Sequence, residues 1–161
     1  MASHIGTKFP TTPILTTHKD TGRPHATSLA EWGQGKRVVL FTLPGAFTPT
    51  CTAKHLPDYI SHADDFRQKG IDTLGCMAVN DIFVMAAWAR ANDAKAIDML
   101  ADTAGAVTQA LAIGLGSHPI LGEGRAGRTA FIAENGVITH FYQDAAGEYQ
   151  HSSAPHVLGQ I

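Results

Sequence analysis

The stretch Arg37-Val38-Val39-Leu40-Phe41-Thr42-Leu43-Pro44-Gly45-Ala46-Phe47-Thr48-Pro49-Thr50-Cys51 decides the fold. From Val38 to Leu43 it is almost wholly β-branched, aromatic or aliphatic, the pattern of a strand buried on both faces. Pro44-Gly45 ends that strand with a strong turn signal. Thr48 reads as an N-cap and Pro49 as the first helical residue, because proline's fixed φ and missing N–H suit that position. Cys51 is therefore expected in the first turn of a helix that directly follows a buried strand.

Downstream of Cys51, Leu56, Tyr59, Ile60, Ala63 and Phe66 recur at helical spacing, and Lys69-Gly70 closes the segment. Residues 71–79 form a second buried strand that contains Cys76. Asn80-Asp81 caps a helix over residues 82–91, followed by a strand or loop near Met99-Leu100-Ala101 and a helix over 106–111. Asn135-Gly136, between Thr129–Ala133 and Val137–Tyr142, predicts a β-hairpin. A short helix is expected over 155–158. The first thirty residues read as loops with one or two short edge strands, the best being Ile14-Leu15-Thr16-Thr17. Strands alternating with helices, then a late hairpin, give an α/β fold: a central mixed β-sheet flanked by helices, in one domain over 1–161.

Composition excludes several classes. With 161 residues, 44% hydrophobic and 16% charged, the chain has the make-up of a soluble globular domain. A net charge of -2 leaves no basic footprint for nucleic acid, and no Lys/Arg run marks a membrane surface. No stretch approaches the roughly 18 apolar residues of a bilayer span, and no secretory leader is read at the start, so a cytoplasmic protein is expected. Two cysteines, Cys51 and Cys76, are too few for a disulfide framework. Nine histidines show no zinc-site spacing with cysteine, so neither a metal nor a cofactor is expected.

The chemistry points to Cys51. At a helix start, unpaired N–H groups and the positive end of the dipole favour thiolate over thiol. The dipole supplies about 0.3–1 kcal/mol and at best about 2, roughly one pKa unit, so a second cation is required. No Lys or Arg lies between Phe41 and Ala53. Arg128, at the entrance to the hairpin strand, is the candidate, with Arg125 in the Gly-rich loop as its rival. The Thr48 hydroxyl and the Cys51 N–H are candidate donors to a substrate oxygen.

Pro44, Thr48 and Cys51 reproduce a Pro-x-x-x-Thr-x-x-Cys pattern, and the string from Pro44 to Cys51 continues into Lys54-His55-Leu56-Pro57. With Val79-Asn80-Asp81, Trp88, Ala101-Asp102, Arg128 and Ser153-Ala154-Pro155, the chain from about Val38 onward resembles the type 5 (plant type II) subgroup of the peroxiredoxins. The resemblance implies a thioredoxin-like fold and reduction of hydrogen peroxide and small alkyl hydroperoxides through a Cys51 sulfenic acid. It implies that Thr48 and Arg128 activate Cys51, that Pro44 shields it, and that the protein is a homodimer. Animal members carry a resolving cysteine near the tail where His151 stands here, so recycling by an external thiol (glutathione, glutaredoxin or thioredoxin) is expected.

Some residues carry two readings. Cys76 is either an inert buried thiol or a resolving one, and His55 either supports the site or simply packs. Phe47 and Leu121 either line an apolar substrate mouth or belong to the core. The activity itself has an alternative, a redox sensor that uses Cys51 oxidation as a signal without turnover.

Overall fold

The computed structural model describes residues 4–161. A hairpin of β1 (Ile14–Thr17) and β2 (Pro24–Thr27) leads to a one-turn helix, α1 (Leu29–Trp32), and then to β3 (Arg37–Thr42). A π turn (Cys51–His55) runs into α2 (Leu56–Ser61) and α3 (Ala63–Gln68). Next come β4 (Thr73–Ala78), α4 (Ile82–Ala91), β5 (Ile97–Ala101) and α5 (Ala106–Ala110). The hairpin β6 (Thr129–Glu134) and β7 (Val137–Gln143) precedes α6 (Ala154–Leu158).

The strands form one seven-stranded sheet in the order β2-β1-β5-β4-β3-β6-β7. β3, β4 and β5 are parallel, while β6, β7, β1 and β2 pair antiparallel, so the sheet is mixed. The fold is thioredoxin-like. The segment near Met99 is a full strand, β5, packed between β4 and β1. Its apolar residues Ile97, Met99, Leu100 and Ala101 are buried, with Asp98 the one charged residue among them, and this pattern carries no local sign of the strand's place in the sheet. Asn135 and Gly136, both at positive φ, make the tight turn of the late hairpin.

Two apolar layers cover the sheet. Phe41, Cys51, Tyr59, Phe66, Cys76, Met85 and Trp88 pack on one face, and Phe9, Leu29, Trp32, Leu40, Met77 and Phe131 on the other. On the second face Trp32 lies against bare backbone, since a Cβ on Gly75 would sit 2.5 Å from its ring. The helix α1 that carries Trp32 was not foreseen, although Ser28 caps it by accepting from the Glu31 N–H at 3.1 Å.

The helix after Cys51 also departs from expectation. The regular helix read through to Phe66 is broken twice, by the π turn over Cys51–His55 and by a change of direction at His62. Pro57 explains the first break: it has no N–H for the Ala53 carbonyl and its ring crowds that oxygen. The backbone widens instead, and the Leu56 N–H bonds to the Cys51 carbonyl.

Candidate active site

Cys51 has no exposed surface and sits where β3 delivers the chain to the π turn that opens into α2. The loop between them is held at several points. Asn80, just past β4, accepts from the Ala46 N–H through Oδ1 at 2.9 Å. Arg125 donates from Nη1 to the carbonyls of Val79 (3.2 Å) and Pro44 (3.4 Å). Gly45 is required beneath it, because a Cβ there would meet that Nη1 at 2.9 Å. Arg125, the rival cation for the sulfur, thus commits its Nη1 to the backbone of this loop and of the residue after β4.

Thr48 is the N-cap by backbone, its carbonyl accepting from the Thr52 N–H at 3.0 Å. Its side chain does not cap. The hydroxyl donates to the Gly45 carbonyl at 2.7 Å, so its proton is committed and its lone pairs are left to accept. This reverses the donor role expected of it in the resting geometry. Phe47 is in the left-handed region at φ 62° and is 56% exposed, which removes it from the core. Non-glycine residues in that region cost about 1–3 kcal/mol and gather at functional sites.

Arg128 enters from the opposite edge of β3. The Thr42 hydroxyl, fully buried, donates to the Gly127 carbonyl at 2.9 Å and meets the Thr129 hydroxyl at 2.5 Å, pinning the residues on either side of Arg128. Its Nη1 lies 3.2 Å from His55 Nδ1. Since a guanidinium only donates, His55 Nδ1 is the acceptor and the ring is neutral. Burial, then the Arg128 charge, pulls the His55 pKa down to about 3, against small opposing effects of Asp144 and the Ser152 carbonyl. His55 thus lies against Arg128, and its ring also packs on Phe41 and Tyr149 at 5.1 and 4.8 Å.

A pocket of about 500 Å³ opens above the helix start, lined by Pro44, Phe47, Thr48, Leu121 and Arg128 among others. Pro44 and Thr48 are joined there by Arg128, from far along the chain, with Phe47 and Leu121 as the apolar part. Cys76 is elsewhere, fully buried on the central strand β4 in the layer that also holds Cys51. Its pKa is pushed well up by burial and, less, by the nearby Cys51. Both thiols are free.

Asp144 was not foreseen. It follows β7, and its side chain, with no exposed surface, accepts from the N–H groups of Gln150, His151 and Ser152, the Ser152 hydroxyl and the His151 ring. Burial opposes its ionisation, but the Ser152 hydroxyl and the backbone N–H groups outweigh it and hold the carboxyl below the usual carboxylate range. The 144–152 loop is thereby closed around one charge. Tyr149 in that loop donates to Asp58 Oδ2 at 2.5 Å, joining it to α2. An aspartate opening a Gly-containing loop was the available signal.

The Redoxin family model matches residues 5–158 of the chain. The sequence is 35% identical over 159 residues to Peroxiredoxin-2E, chloroplastic, of Arabidopsis thaliana, covering 96% of this chain and 67% of that protein. It is 41% identical over 126 residues to Peroxiredoxin-2C of Oryza sativa subsp. japonica, covering 77% of each. Among solved structures it resembles reduced Prx3 of Vibrio vulnificus in complex with H2O2, with a TM-score of 0.92 and 37% identity over 99% of each chain.

Proposed function

The chain belongs to the Redoxin family, among its peroxiredoxins, and is a peroxidase; from that premise we propose that Cys51 is the peroxidatic nucleophile and that an external thiol completes the cycle. The observation that carries this reading is the convergence of Pro44, Thr48 and Arg128 on the pocket over the Cys51 helix start. The Cys51 thiolate attacks the terminal oxygen of a hydroperoxide. The S–O bond forms as the O–O bond breaks, leaving a sulfenic acid on Cys51, and the departing alkoxide or hydroxide takes a proton to leave as alcohol or water.

Arg128 stabilises charge at both ends of this step. With Nη1 held by His55, its other N–H groups serve the sulfur and the peroxide oxygens, where aligned donors act in a low-dielectric site. The Thr48 oxygen accepts the hydrogen bond of the peroxide O–H, and Pro44 keeps water from the sulfenic acid. Phe47 and Leu121 receive the organic part of a small alkyl hydroperoxide.

In the second half-reaction a thiol attacks the sulfenic sulfur, forming a mixed disulfide and releasing water. A second thiol then displaces Cys51 as thiolate and carries the disulfide away. The burial of Cys76 on a central strand supports an external partner, glutathione with glutaredoxin or thioredoxin, over an internal one. A homodimer in a cytoplasmic, thiol-rich setting completes the proposal.

Steady-state peroxide consumption with glutathione and glutaredoxin, and separately with thioredoxin, tests it. Cys51→Ser is expected to abolish turnover and Cys76→Ser to retain most of it. Stoichiometric oxidation of the wild type without turnover under every reductant would sink the peroxidase cycle. Loss of turnover in a folded Cys76→Ser protein would sink the external-thiol route.

A further inference from the structure

The excursion between α5 and β6 is a narrow double-backed loop. Its base is a bridge between Gly114 and Ala126, with the Leu115 N–H bonded to the Arg125 carbonyl at 2.8 Å and the Gly127 N–H to the Ile113 carbonyl at 2.7 Å. The strand entrance at Arg128 leaves from this base. Towards the tip, His118 and Gly122 exchange backbone hydrogen bonds at 3.0 and 2.9 Å. The tip itself, Pro119-Ile120-Leu121, has little packing to hold it: Ile120 is 86% exposed.

What holds the tip is an imidazole. His118 Nδ1 accepts from the N–H groups of both Ile120 and Leu121, each at 3.1 Å. Pro119 has no N–H to offer, so the ring satisfies every free donor between His118 and Gly122. Accepting at Nδ1 puts the ring proton of neutral His118 on Nε2. His118, Ile120, Leu121 and Leu115 line the 500 Å³ pocket together with Phe47. That volume far exceeds what hydrogen peroxide needs and is large enough for an aryl or branched alkyl group.

We propose that His118 is the specificity-determining residue of this pocket, latching the 118–122 turn as an apolar lip that binds the organic substituent of a bulky hydroperoxide such as cumene hydroperoxide. The proposal rests on the reading of Cys51 as the nucleophile beneath this pocket. His118 is a positioning residue: it acts through the backbone that presents Ile120 and Leu121, and the lip touches only the part of the substrate distant from the breaking O–O bond.

The test uses the full chain and measures kcat/KM for cumene hydroperoxide and for hydrogen peroxide under one reductant, with Cys51 oxidation followed by mass spectrometry. His118→Ala is expected to lower the ratio of cumene hydroperoxide to hydrogen peroxide efficiency by about tenfold, through KM, as for loss of a few apolar contacts. His118→Asn is expected to restore the ratio, because its Oδ1 takes the place of Nδ1 and accepts the same two N–H groups. Ile120→Ser, which leaves the latch intact and removes the lip side chain, is expected to lower the ratio as well. An unchanged ratio in His118→Ala, or a loss that His118→Asn fails to restore, overturns the latch. If the wild type is not oxidised at Cys51 by hydrogen peroxide, the underlying peroxidase reading fails instead, so the two failures are distinct.

Discussion

Replacing Asp144 by Asn removes the charge that closes the 144–152 loop while keeping the side-chain shape. The carboxylate accepts five hydrogen bonds, three on Oδ2 (Gln150 N–H, Ser152 N–H and the Ser152 hydroxyl) and two on Oδ1 (the N–H and ring of His151). If the single Asn oxygen takes the Oδ2 place, its NH2 faces the His151 N–H at a spacing of 2.7 Å, donor against donor. A hydrogen bond to a charged group contributes about 1.5–3 kcal/mol, and the half-exposed His151 ring contributes less, so the loss should be about 2–4 kcal/mol. For a chain of this size that corresponds to a melting temperature about 5–15 °C lower at pH 7. The sign of the pH effect follows from the carboxyl being held below its usual range. Its contribution is fully present above the unfolded value near 3.9 and is lost as pH falls through the lower, folded value. Buried neutral His55 acts over a different window. The unfolded chain gains a proton near pH 6.5 that the native one refuses until about pH 3, costing both proteins stability at about 1.4 kcal/mol per pH unit. That loss nearly cancels in the difference between them. Urea unfolding of both proteins from pH 7 to pH 3 is the assay. A gap under about 0.5 kcal/mol at pH 7, or one that does not shrink between pH 5 and pH 3, would refute the reasoning.

Two further outcomes are expected. Arg128→Lys keeps a charge but replaces the fixed, planar fork by a point charge that cannot hold the same geometry to His55 and the substrate, so kcat/KM for hydrogen peroxide should fall about a hundredfold; a stopped-flow loss under threefold would show that the guanidinium fork is not needed. Gly75→Ala forces a methyl to within 2.5 Å of the Trp32 ring in a packed layer, and should destabilise by about 1–3 kcal/mol or more in urea unfolding; an unchanged midpoint would mean that Trp32 moves aside freely.

The parts of this molecule that were legible in the sequence are those encoded by near neighbours. The apolar run of β3, the Pro44-Gly45 turn, Pro49 at a helix start, the Asp81 cap and the Asn135-Gly136 turn each state their geometry locally. The resemblance carried by Pro44, Thr48 and Cys51 supplied the peroxidase reading before any contact was seen. What was not legible depends on partners distant in the chain. The place of β5 between β4 and β1 is a matter of sheet order, which no local pattern records. The direction of the Thr48 hydroxyl depends on the Gly45 carbonyl being presented to it. Arg125 and Arg128 stand three positions apart, and although the sequence favoured Arg128 for the site, that Arg125 braces backbone while Arg128 lines the pocket is seen only in the folded chain. Pro57 did carry a signal for the π turn, overlooked because the apolar spacing across it remained helical.

The contact between Trp88 and the π turn that carries Cys51 has an optical consequence. The chain has two tryptophans, and only Trp88 lies in the same layer as Cys51. Its indole N–H donates to the hydroxyl of Thr52, the residue next to Cys51, at 3.0 Å. Indole emission responds to whether that N–H is bonded and how dry its surroundings are. Any displacement of the helix start that accompanies oxidation or mixed-disulfide formation at Cys51 therefore changes the emission of Trp88. Trp32, on the far side of the sheet and bonded to Asp98 at 2.9 Å, serves as a steady internal reference. The protein thus carries its own fluorophore for following each half of its cycle in real time, without a label.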